Sequence, residues 1–348
     1  MKKAAIIGAT GFGGLGLIEI LLKHPGIEIS QLAARRDVGA PVSQVFPHLA
    51  GHCDMIVESP EKIDYDKIDI AFFSTPDRAG MTIIKDFFNR HIPVIDFSGD
   101  FRFKTEEEYS AYARFKGMDD KHLSPEILKH SVYGLPEINS SKISKARVIG
   151  NPGCFAVSMI LGLLPAVEQG LIITDTVVCD GKTGVSGAGK NPGESNFYPQ
   201  RYENVNTYRE GKHQHLIEVE NVLNSRSSKQ VKILFVPQIV PLNRGILTTI
   251  YADPKKDVNT KTLLECYRDY YRDKPFIAVT DRSPNTTDVR GTNKCEIRPA
   301  VDERTGKLFV TSVIDNLVKG QSGNAVQCAN IILGFDEKAG LERTAFYP

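Results

Sequence analysis

The sequence Lys3-Ala4-Ala5-Ile6-Ile7-Gly8-Ala9-Thr10-Gly11-Phe12-Gly13-Gly14 decides the fold of the first half of the chain. Its apolar run ends at a glycine-rich turn, and residues 15–22 then show the apolar spacing of a helix. A strand, a glycine turn and a helix in this order form the context of a dinucleotide-binding fingerprint. The alternative is a glycine turn that holds no ligand. The predicted cofactor-binding residues of this turn are Gly8, Thr10, Gly11, Phe12 and Gly13.

Three of these glycines have separate roles in such a fingerprint. Gly8 would make the tight turn, and Gly11 would let the backbone approach a pyrophosphate. Gly14 would allow the helix to pack closely on the strand. The pyrophosphate would then lie at the helix N-terminus, where backbone N–H groups have no partner within the helix.

Two arginines follow the second predicted strand, which spans residues 27–33. NAD-binding folds usually place an acidic side chain here for the ribose 2′-hydroxyl, whereas a basic side chain suits a 2′-phosphate. Arg35 and Arg36 therefore favour NADP(H) over NAD(H). Asp37 comes next, and a solvated charged loop is the alternative interpretation.

Two further strands continue the alternation of strands and helices. They are predicted at residues 68–73 and 92–97, with a crossover helix at 78–89 between them. The order β-α-β-α-β-α-β predicts an α/β Rossmann-like domain with a parallel sheet. Residues 103–145 are polar and are predicted to be less regular.

Candidate ligand-binding residues follow both of these strands, at the sheet edge where open α/β sheets bind their ligands. Ser74-Thr75-Pro76 ends the third strand and is assigned to the cofactor. Arg102 follows the fourth strand and is a planar, always charged group that suits a carboxylate or phosphate. A salt bridge to Asp96 or Asp100 is the alternative role for this arginine.

One cysteine, Cys154, lies at the start of an apolar, helix-like stretch that runs to about Gln169. It belongs to the glycine- and proline-rich turn Gly150-Asn151-Pro152-Gly153-Cys154-Phe155. Unpaired backbone N–H groups and the helix dipole favour a thiolate at such a position. The alternative is that Cys154 is a small buried core residue.

The second half of the chain consists mainly of predicted strands with few helices. Consecutive strands and the hairpin signal at Asp302-Glu303-Arg304-Thr305-Gly306 predict an α+β domain with a mostly antiparallel sheet. A helix at 321–333 would pack back on the first domain. We therefore expect a dinucleotide-binding domain at 1–150, completed by about 318–348, and a catalytic, substrate-binding and oligomerisation domain at 151–317.

Two further segments carry polar groups suited to chemistry. The glycine-rich loop at 181–190 could cradle an anion, although its spacing does not match a P-loop. His213 and His215 begin a predicted helix and are candidate acid/base residues. No third ligand with zinc-like spacing accompanies them, so we expect no metal site.

Composition excludes several classes of protein. The 348 residues are 41% hydrophobic and 24% charged, and the net charge is +1, which gives no indication of a nucleic-acid or membrane partner. No apolar run reaches the ~20 residues needed to span a bilayer. Six cysteines without paired spacing fit reduced thiols in a cytoplasm.

A cysteine, a histidine and a nicotinamide site together indicate one reaction. A thiolate attacks an activated acyl group to form a thioester, and hydride then reduces the thioester to an aldehyde. A histidine would move the proton, and N–H groups at the helix start would hold the developing oxyanion.

Seven further motifs and the cysteine turn carry a resemblance over nearly the whole chain to the N-acetyl-γ-glutamyl-phosphate reductase family. The cysteine turn and the last of the motifs are the specific ones. The segments are residues 8–11, 96–102, 133–137, 149–156, 186–190, 213–215, 240–245 and 315–320.

The resemblance implies NADPH-dependent reduction of N-acetyl-L-glutamyl 5-phosphate to the 5-semialdehyde, with release of phosphate, in arginine biosynthesis. It implies that Cys154 is the nucleophile. His213 is favoured as the acid/base because it precedes Glu218 by five residues, as in related semialdehyde dehydrogenases. A homodimer or homotetramer is expected. The resemblance further assigns Ser186 and Asn316 to the cofactor, and Arg102, Asn151, Gly187, His215 and Arg244 to the substrate.

The chain departs from the family pattern at three places. Val157 occupies a position where the family usually has threonine, and Lys190 one where it usually has arginine. Gln321-Ser322 occupies the place of two small residues. Lysine lacks the bidentate fork of arginine, so an acetylaminoadipyl phosphate of a lysine pathway is an alternative substrate. An aspartate-semialdehyde dehydrogenase, a short-chain dehydrogenase or a nucleotide-sensing regulator would also be compatible with parts of the sequence.

Overall fold

The computed structural model describes residues 1–255 and 258–347, which form two compact units. The first unit comprises residues 1–152 and 321–342, and the second comprises 153–320 and 343–347. The sequence assigned all of 318–348 to the first domain. In the structure the last residues belong to the second unit, where the Phe346 N–H donates to the Arg290 carbonyl at 3.0 Å.

Strands and helices are numbered separately in chain order. The strands are β1 (Lys2–Ile7), β2 (Ile27–Ala33), β3 (Val57–Glu58), β4 (Ile70–Phe73), β5 (Val94–Asp96), β6 (Ser131–Tyr133), β7 (Val148–Gly150), β8 (Val177–Thr183), β9 (Asn206–Thr207), β10 (Ile233–Ile239), β11 (Ile246–Ala252), β12 (Ile277–Val279), β13 (Cys295–Val301) and β14 (Leu308–Ile314). The helices are α1 (Phe12–Leu21), α2 (Val42–Val45), α3 (Ile84–Asn89), α4 (Glu106–Lys116), α5 (Pro125–Leu128), α6 (Pro136–Ile143), α7 (Cys154–Glu168), α8 (Tyr198–Arg201), α9 (His215–Asn224), α10 (Thr260–Tyr270), α11 (Thr286–Val289) and α12 (Gly323–Leu333).

The first unit is a seven-stranded sheet in the order β3-β2-β1-β4-β5-β7-β6, and every pair in it is parallel. The chain order reverses between β1 and β4, which defines the crevice where open α/β sheets bind ligands. All four residues of β4 are buried, as expected for a parallel sheet covered on both faces. The predicted Rossmann-like fold is confirmed.

The prediction that residues 103–145 are less regular was wrong, because α4, α5, α6 and β6 lie there. Helix α4 has both of its ends marked in the sequence. The Thr105 side chain accepts from the Glu108 N–H at 3.2 Å, and Gly117 ends the helix at φ +74°. The large side chains of its buried face are Tyr109 and Tyr112, with Ala113 beside them, so the apolar periodicity is weak.

The second unit contains a seven-stranded sheet in the order β12-β13-β14-β11-β8-β10-β9. Four of its six strand pairs are antiparallel, while β8–β10 and β12–β13 are parallel. This confirms the predicted α+β domain. Helix α7 packs on this sheet and is buried from Phe155 to Val167.

A proline inside α7 leaves a carbonyl without its helical hydrogen-bond donor, and tyrosine hydroxyls donate to the carbonyls at this position. Pro165 has no N–H, so the Leu161 carbonyl loses its helical partner. The Tyr271 hydroxyl donates to Leu161 O at 2.7 Å, and the Tyr267 hydroxyl donates to Gly162 O at 2.7 Å. Both hydroxyls therefore pair carbonyls at the proline in the middle of a buried helix.

We expect Tyr271→Phe to lower the free energy of unfolding by about 1–3 kcal/mol, because a buried carbonyl loses its donor. Urea unfolding followed by circular dichroism would measure the change. Tyr198→Phe is the matched control, since Tyr198 is exposed and its loss should change stability little. Equal stability of Tyr271→Phe and the parent protein would contradict this role.

Candidate active site

The glycine turn after β1 has the geometry of a ligand cradle. Gly8 has φ +91°, and a Cβ there would overlap the Ser74 carbonyl oxygen. A Cβ on Gly14 would lie 2.5 Å from Gly8 O, so glycine is required at both positions. At Gly11 the nearest atom to such a Cβ is Gly8 O at 3.6 Å, which leaves the backbone approachable. The turn thus fits the pyrophosphate of a dinucleotide at the start of α1.

The other predicted cofactor residues of the first unit lie on strand ends next to this turn. Arg35 and Arg36 are exposed just after β2, which pairs with β1. Ser74 begins the loop after β4, and a Cβ on Gly13 would overlap the Ser74 Oγ. Thr75 and Pro76 follow in the same loop.

The Arg102 guanidinium is oriented by backbone carbonyls. Its Nε donates to Asn151 O at 2.8 Å, and its Nη2 donates to Phe97 O at 2.8 Å. The Asn151 side chain lies inside the unit, where it donates to Gln321 O at 3.1 Å and accepts from Asn324 at 2.8 Å. Asn151 therefore holds Arg102 through its carbonyl, while its amide is used within the fold.

The loops after β4 and β5 hold each other through two reciprocal hydrogen bonds that sequence reasoning missed. The Gly99 N–H donates to Asp77 Oδ1 at 2.7 Å, and the Arg78 N–H donates to Asp100 Oδ2 at 2.7 Å. Arg78 adopts φ +70°, a strained conformation for a residue other than glycine. In the sequence, the only signal for this arrangement is the turn-forming pair Pro76-Asp77. The two hydrogen bonds connect the loop that contains Ser74 to the loop that contains Arg102.

Two fully buried carboxyl groups, those of Asp96 and Asp100, stand at the end of β5 and in the loop that follows it. Desolvation, together with the Asp100 charge, raises the pKa of Asp96 to about 8, and desolvation raises the pKa of Asp100 to about 6. Asp96 Oδ1 accepts from the Ser98 N–H at 2.8 Å. Asp96 Oδ2 and Thr75 Oγ1 both lie close to Gly80, at 2.6 and 3.6 Å from the position of its missing Cβ. A proton on Asp96 Oδ2 relieves the burial of a second negative charge.

The raised pKa values have a consequence for stability. Between about pH 4 and pH 8 this pair binds more protons in the folded protein than in the unfolded chain, so its contribution to the free energy of unfolding falls as pH rises through this window. Asp96→Asn should weaken this decrease, by on the order of 1–3 kcal/mol between pH 5 and 8. Urea unfolding at several pH values would measure it. An unchanged pH slope in the variant would exclude the pair as its source.

Cys154 is the first residue of α7, a fifteen-residue helix, and follows Gly153 at the N-cap. The Gly153 N–H donates to Glu218 Oε1 at 3.0 Å, and this carboxylate is only 1% exposed. A Cβ on Gly320 would lie 2.7 Å from Cys154 Cβ, so a larger residue at 320 would displace the cysteine. The cysteine is half-buried and fixed by close backbone packing.

Both predicted histidines lie near this turn. A Cβ on Gly153 would overlap His215 Nε2, so that imidazole packs directly on the residue before Cys154. The His215 N–H donates to His213 Nδ1 at 3.3 Å, and the two rings are 4.7 Å apart. This contact places the His215 imidazole against the cysteine turn, whereas the sequence favoured His213 as the acid/base.

An aromatic enclosure surrounds His213, formed by Phe155, Tyr208 and Phe235 with ring centroids 5.3–5.7 Å away. Burial raises the pKa of Tyr208, and the Cys154 charge contributes to the rise, so the phenol stays protonated. Sequence reasoning missed Tyr208, because its segment has no periodic pattern and no motif.

The second glycine loop, at 181–190, and the residue pair after β14 come together in the second unit. Asn316 Nδ2 donates to Ser186 Oγ at 3.0 Å, and Asn316 Oδ1 accepts from the Gly245 N–H at 2.8 Å. Gly187 is exposed beside this pair, with Asn316 Nδ2 4.0 Å from the position of its missing Cβ.

Arg244 forms an ion pair of 3.3 Å with Asp315, which is fully buried. Asp315 also accepts from the N–H groups of Gly291 at 2.7 Å and Leu317 at 2.8 Å. Sequence reasoning missed Asp315, although an acidic residue directly after a buried strand was a usable signal. Its carboxylate fixes the position of the Arg244 guanidinium.

Within residues 1–255 and 258–347, no three His, Cys, Asp or Glu side chains are arranged to hold a metal ion. No helix in this part of the chain has the length and apolar character needed to cross a membrane.

Comparison with known proteins defines the class. The profile of the semialdehyde dehydrogenase NAD binding domain matches residues 3–146, and that of the semialdehyde dehydrogenase dimerisation domain matches residues 154–316. The structure of aspartate semialdehyde dehydrogenase II from Vibrio cholerae is similar, with a TM-score of 0.71 over 96% of this chain and 98% of that one at 18% identity. The chain thus has the fold of a semialdehyde dehydrogenase with a nicotinamide dinucleotide domain.

Within this class the chain belongs to the N-acetyl-gamma-glutamyl-phosphate reductase family. It is 40% identical over 352 residues to the reductase of that name from Pelobacter propionicus, and 38% identical over 352 residues to the one from Geotalea daltonii. Both alignments cover 100% of each chain. The resemblance found in the sequence is confirmed.

Proposed function

We propose that this protein reduces N-acetyl-L-glutamyl 5-phosphate to N-acetyl-L-glutamate 5-semialdehyde and phosphate, with NADPH, as a step of arginine biosynthesis. The observation that carries the proposal is Cys154 at the N-terminus of α7, with His215 and Glu218 both in contact with Gly153. A full-length identity of 40% to a reductase of this name supports the choice of substrate.

In the proposed reaction, Cys154 attacks the acyl carbon and phosphate leaves, which gives a thioester. A histidine takes the thiol proton, and backbone N–H groups at the start of α7 stabilise the oxyanion. The nicotinamide cofactor supplies hydride when bound. The resulting tetrahedral species on Cys154 then collapses to the aldehyde and releases the thiolate, for which sulfur is a good leaving group.

The remaining site residues receive binding roles. Arg102 and Arg244 bind the anionic groups of the substrate, since guanidinium forks suit phosphate and carboxylate. Gly187 leaves space beside Asn316, and Ser186 and Asn316 contact the cofactor. Asn151 acts on the substrate through Arg102, which its carbonyl orients at 2.8 Å.

A phosphate-dependent assay of the reverse reaction tests the function. N-acetylglutamate 5-semialdehyde, phosphate and NADP⁺ should give NADPH, with kcat/KM at least about tenfold higher than for acetylaminoadipate semialdehyde or aspartate semialdehyde. The acetylaminoadipyl substrate is the second candidate, because Lys190 is an exposed lysine in the glycine loop at 181–190. A preference for either competitor would overturn the proposed substrate.

We also propose that the cofactor is NADP(H) and that Arg35 and Arg36 bind its 2′-phosphate. Arg35→Ala or Arg36→Ala should raise the KM for NADPH about tenfold while changing the KM for NADH little, because only NADPH carries the 2′-phosphate. Steady-state kinetics with both cofactors would measure the ratio. Equal effects on both would remove these arginines from the phosphate site.

The proposal includes assembly and location. The match of residues 154–316 to a dimerisation domain supports a homodimer or homotetramer, which light scattering of the purified protein would measure. A cytoplasmic location fits six cysteines without paired spacing.

A further inference from the structure

The Gln321 side chain reaches the glycine turn that the cofactor is proposed to occupy. Its Nε2 lies 3.1 Å from the position that a Cβ of Gly13 would take, and Ser74 Oγ is in contact with the same point. Gln321 belongs to the first unit, and its backbone carbonyl is held by the Asn151 amide at 3.1 Å. The amide head of Gln321 is therefore a neighbour of the first turn of α1.

The Gln321 Oε1 atom is buried and accepts no hydrogen bond from the residues that the structure describes. A buried polar atom without a partner is destabilising and uncommon in folded proteins. The Gln321 amide lies beside Gly13, in the first turn of α1, which indicates that the missing donor comes from a ligand bound at the glycine turn.

A dinucleotide supplies suitable donors. The oxygens of its pyrophosphate only accept hydrogen bonds, whereas its ribose hydroxyls and the nicotinamide carboxamide can donate. Gln321 Nε2 can donate to a phosphate oxygen while Oε1 accepts from a hydroxyl or an amide N–H. The Gln321 side chain thus offers one donor, which matches the phosphate oxygens of the cofactor. It also offers one acceptor, which matches a ribose hydroxyl or the nicotinamide carboxamide.

We propose that Gln321 is a cofactor-binding residue of this chain, which hydrogen-bonds the nicotinamide dinucleotide at the Gly13 side of the turn. This inference rests on the proposed cofactor site. Gln321 lies outside the glycine turn at 8–14, so its contact adds to the binding supplied by that turn.

Titration of the full-length protein with NADPH, without acyl substrate, tests the proposal by fluorescence. Gln321→Ala introduces a small side chain, and Gln321→Leu keeps much of the side-chain volume without polar atoms. Both should raise the Kd for NADPH about fivefold to tenfold, since each loses the hydrogen bonds. Gln169→Ala is the control, because Gln169 is exposed at the end of α7.

Thermal unfolding provides a readout that a purely structural role would not give. Without ligand, Gln321→Ala should melt at the same temperature as the parent protein or higher, because the unpaired oxygen is gone. The upward shift of its melting temperature by NADPH should be smaller than that of the parent. A loss of stability without ligand, with an unchanged NADPH shift, would assign Gln321 a structural role instead.

Binding of a cofactor fragment distinguishes a ribose hydroxyl from the nicotinamide carboxamide as the donor to Gln321 Oε1. 2′-Phospho-ADP-ribose lacks the nicotinamide, so an undiminished penalty with this fragment supports a ribose hydroxyl, and a lost penalty supports the carboxamide. Parent-like NADPH affinity of both variants would overturn the inference while leaving the proposed function intact. Failure of the parent protein to bind NADPH and NADH would overturn the proposed function and the inference with it.

Discussion

Cys154→Ala should lower phosphate-dependent reduction of NADP⁺ by at least about 10³-fold, because the variant has no group that can form the thioester. Cys154→Ser should be almost as inactive, since a hydroxyl at this position is both a weaker nucleophile and a poorer leaving group than a thiolate. Initial rates with saturating cofactor would measure the loss.

The fold of both variants should be retained. Alanine removes only the sulfur, and the contact between Gly320 and Cys154 Cβ is unchanged. Binding of NADPH to the variants, measured in the same titrations, should match that of the parent protein. A variant with near-normal turnover would exclude the thioester mechanism.

Cys266→Ser is the matched control for this experiment. Burial raises the pKa of the Cys266 thiol, and the nearby Asp269 charge adds to the rise, so this half-buried cysteine is a poor nucleophile. Its replacement should leave activity unchanged. Alkylation of the parent protein with one equivalent of iodoacetamide should abolish activity, and bound acyl substrate should protect against it.

The sequence predicted those parts of the fold whose signals are local. The bounds of β2 agree with the prediction at 27–33, because its apolar residues are followed by the charged segment Arg35-Arg36-Asp37. Helix α4 was missed although Thr105 caps it, since its large buried side chains are tyrosines. Aromatic residues among glutamates do not give a clear helical periodicity.

The site was predictable to the extent that motifs mark it. Cys154 and the histidines were found because their residue types and positions at predicted helix starts indicate chemistry. Glu218 and Asp315 acquire their roles only through contacts with Gly153 and Arg244, which are 65 and 71 residues away in sequence. No local pattern encodes such pairs, and a single sequence cannot show which distant residues meet.

The second large effect is expected from substitution of the two histidines near the cysteine turn. His215→Gln should lower kcat by about 10²–10⁴-fold, the usual contribution of a general acid/base, because His215 Nε2 packs on the residue before Cys154. His213→Gln should lower kcat less, since His213 Nδ1 accepts the His215 N–H and its ring is enclosed by aromatic side chains.

The pH dependence of kcat distinguishes proton transfer from positioning. If His215 moves the proton, the limb of the pH–rate profile that belongs to a histidine is lost in His215→Gln and is retained, at reduced height, in His213→Gln. Glutamine keeps a polar head of similar size, so packing against Gly153 is largely preserved in the variant. Loss of that limb in His213→Gln alone would instead make His213 the acid/base, and His215 would then act by holding His213 through its backbone N–H.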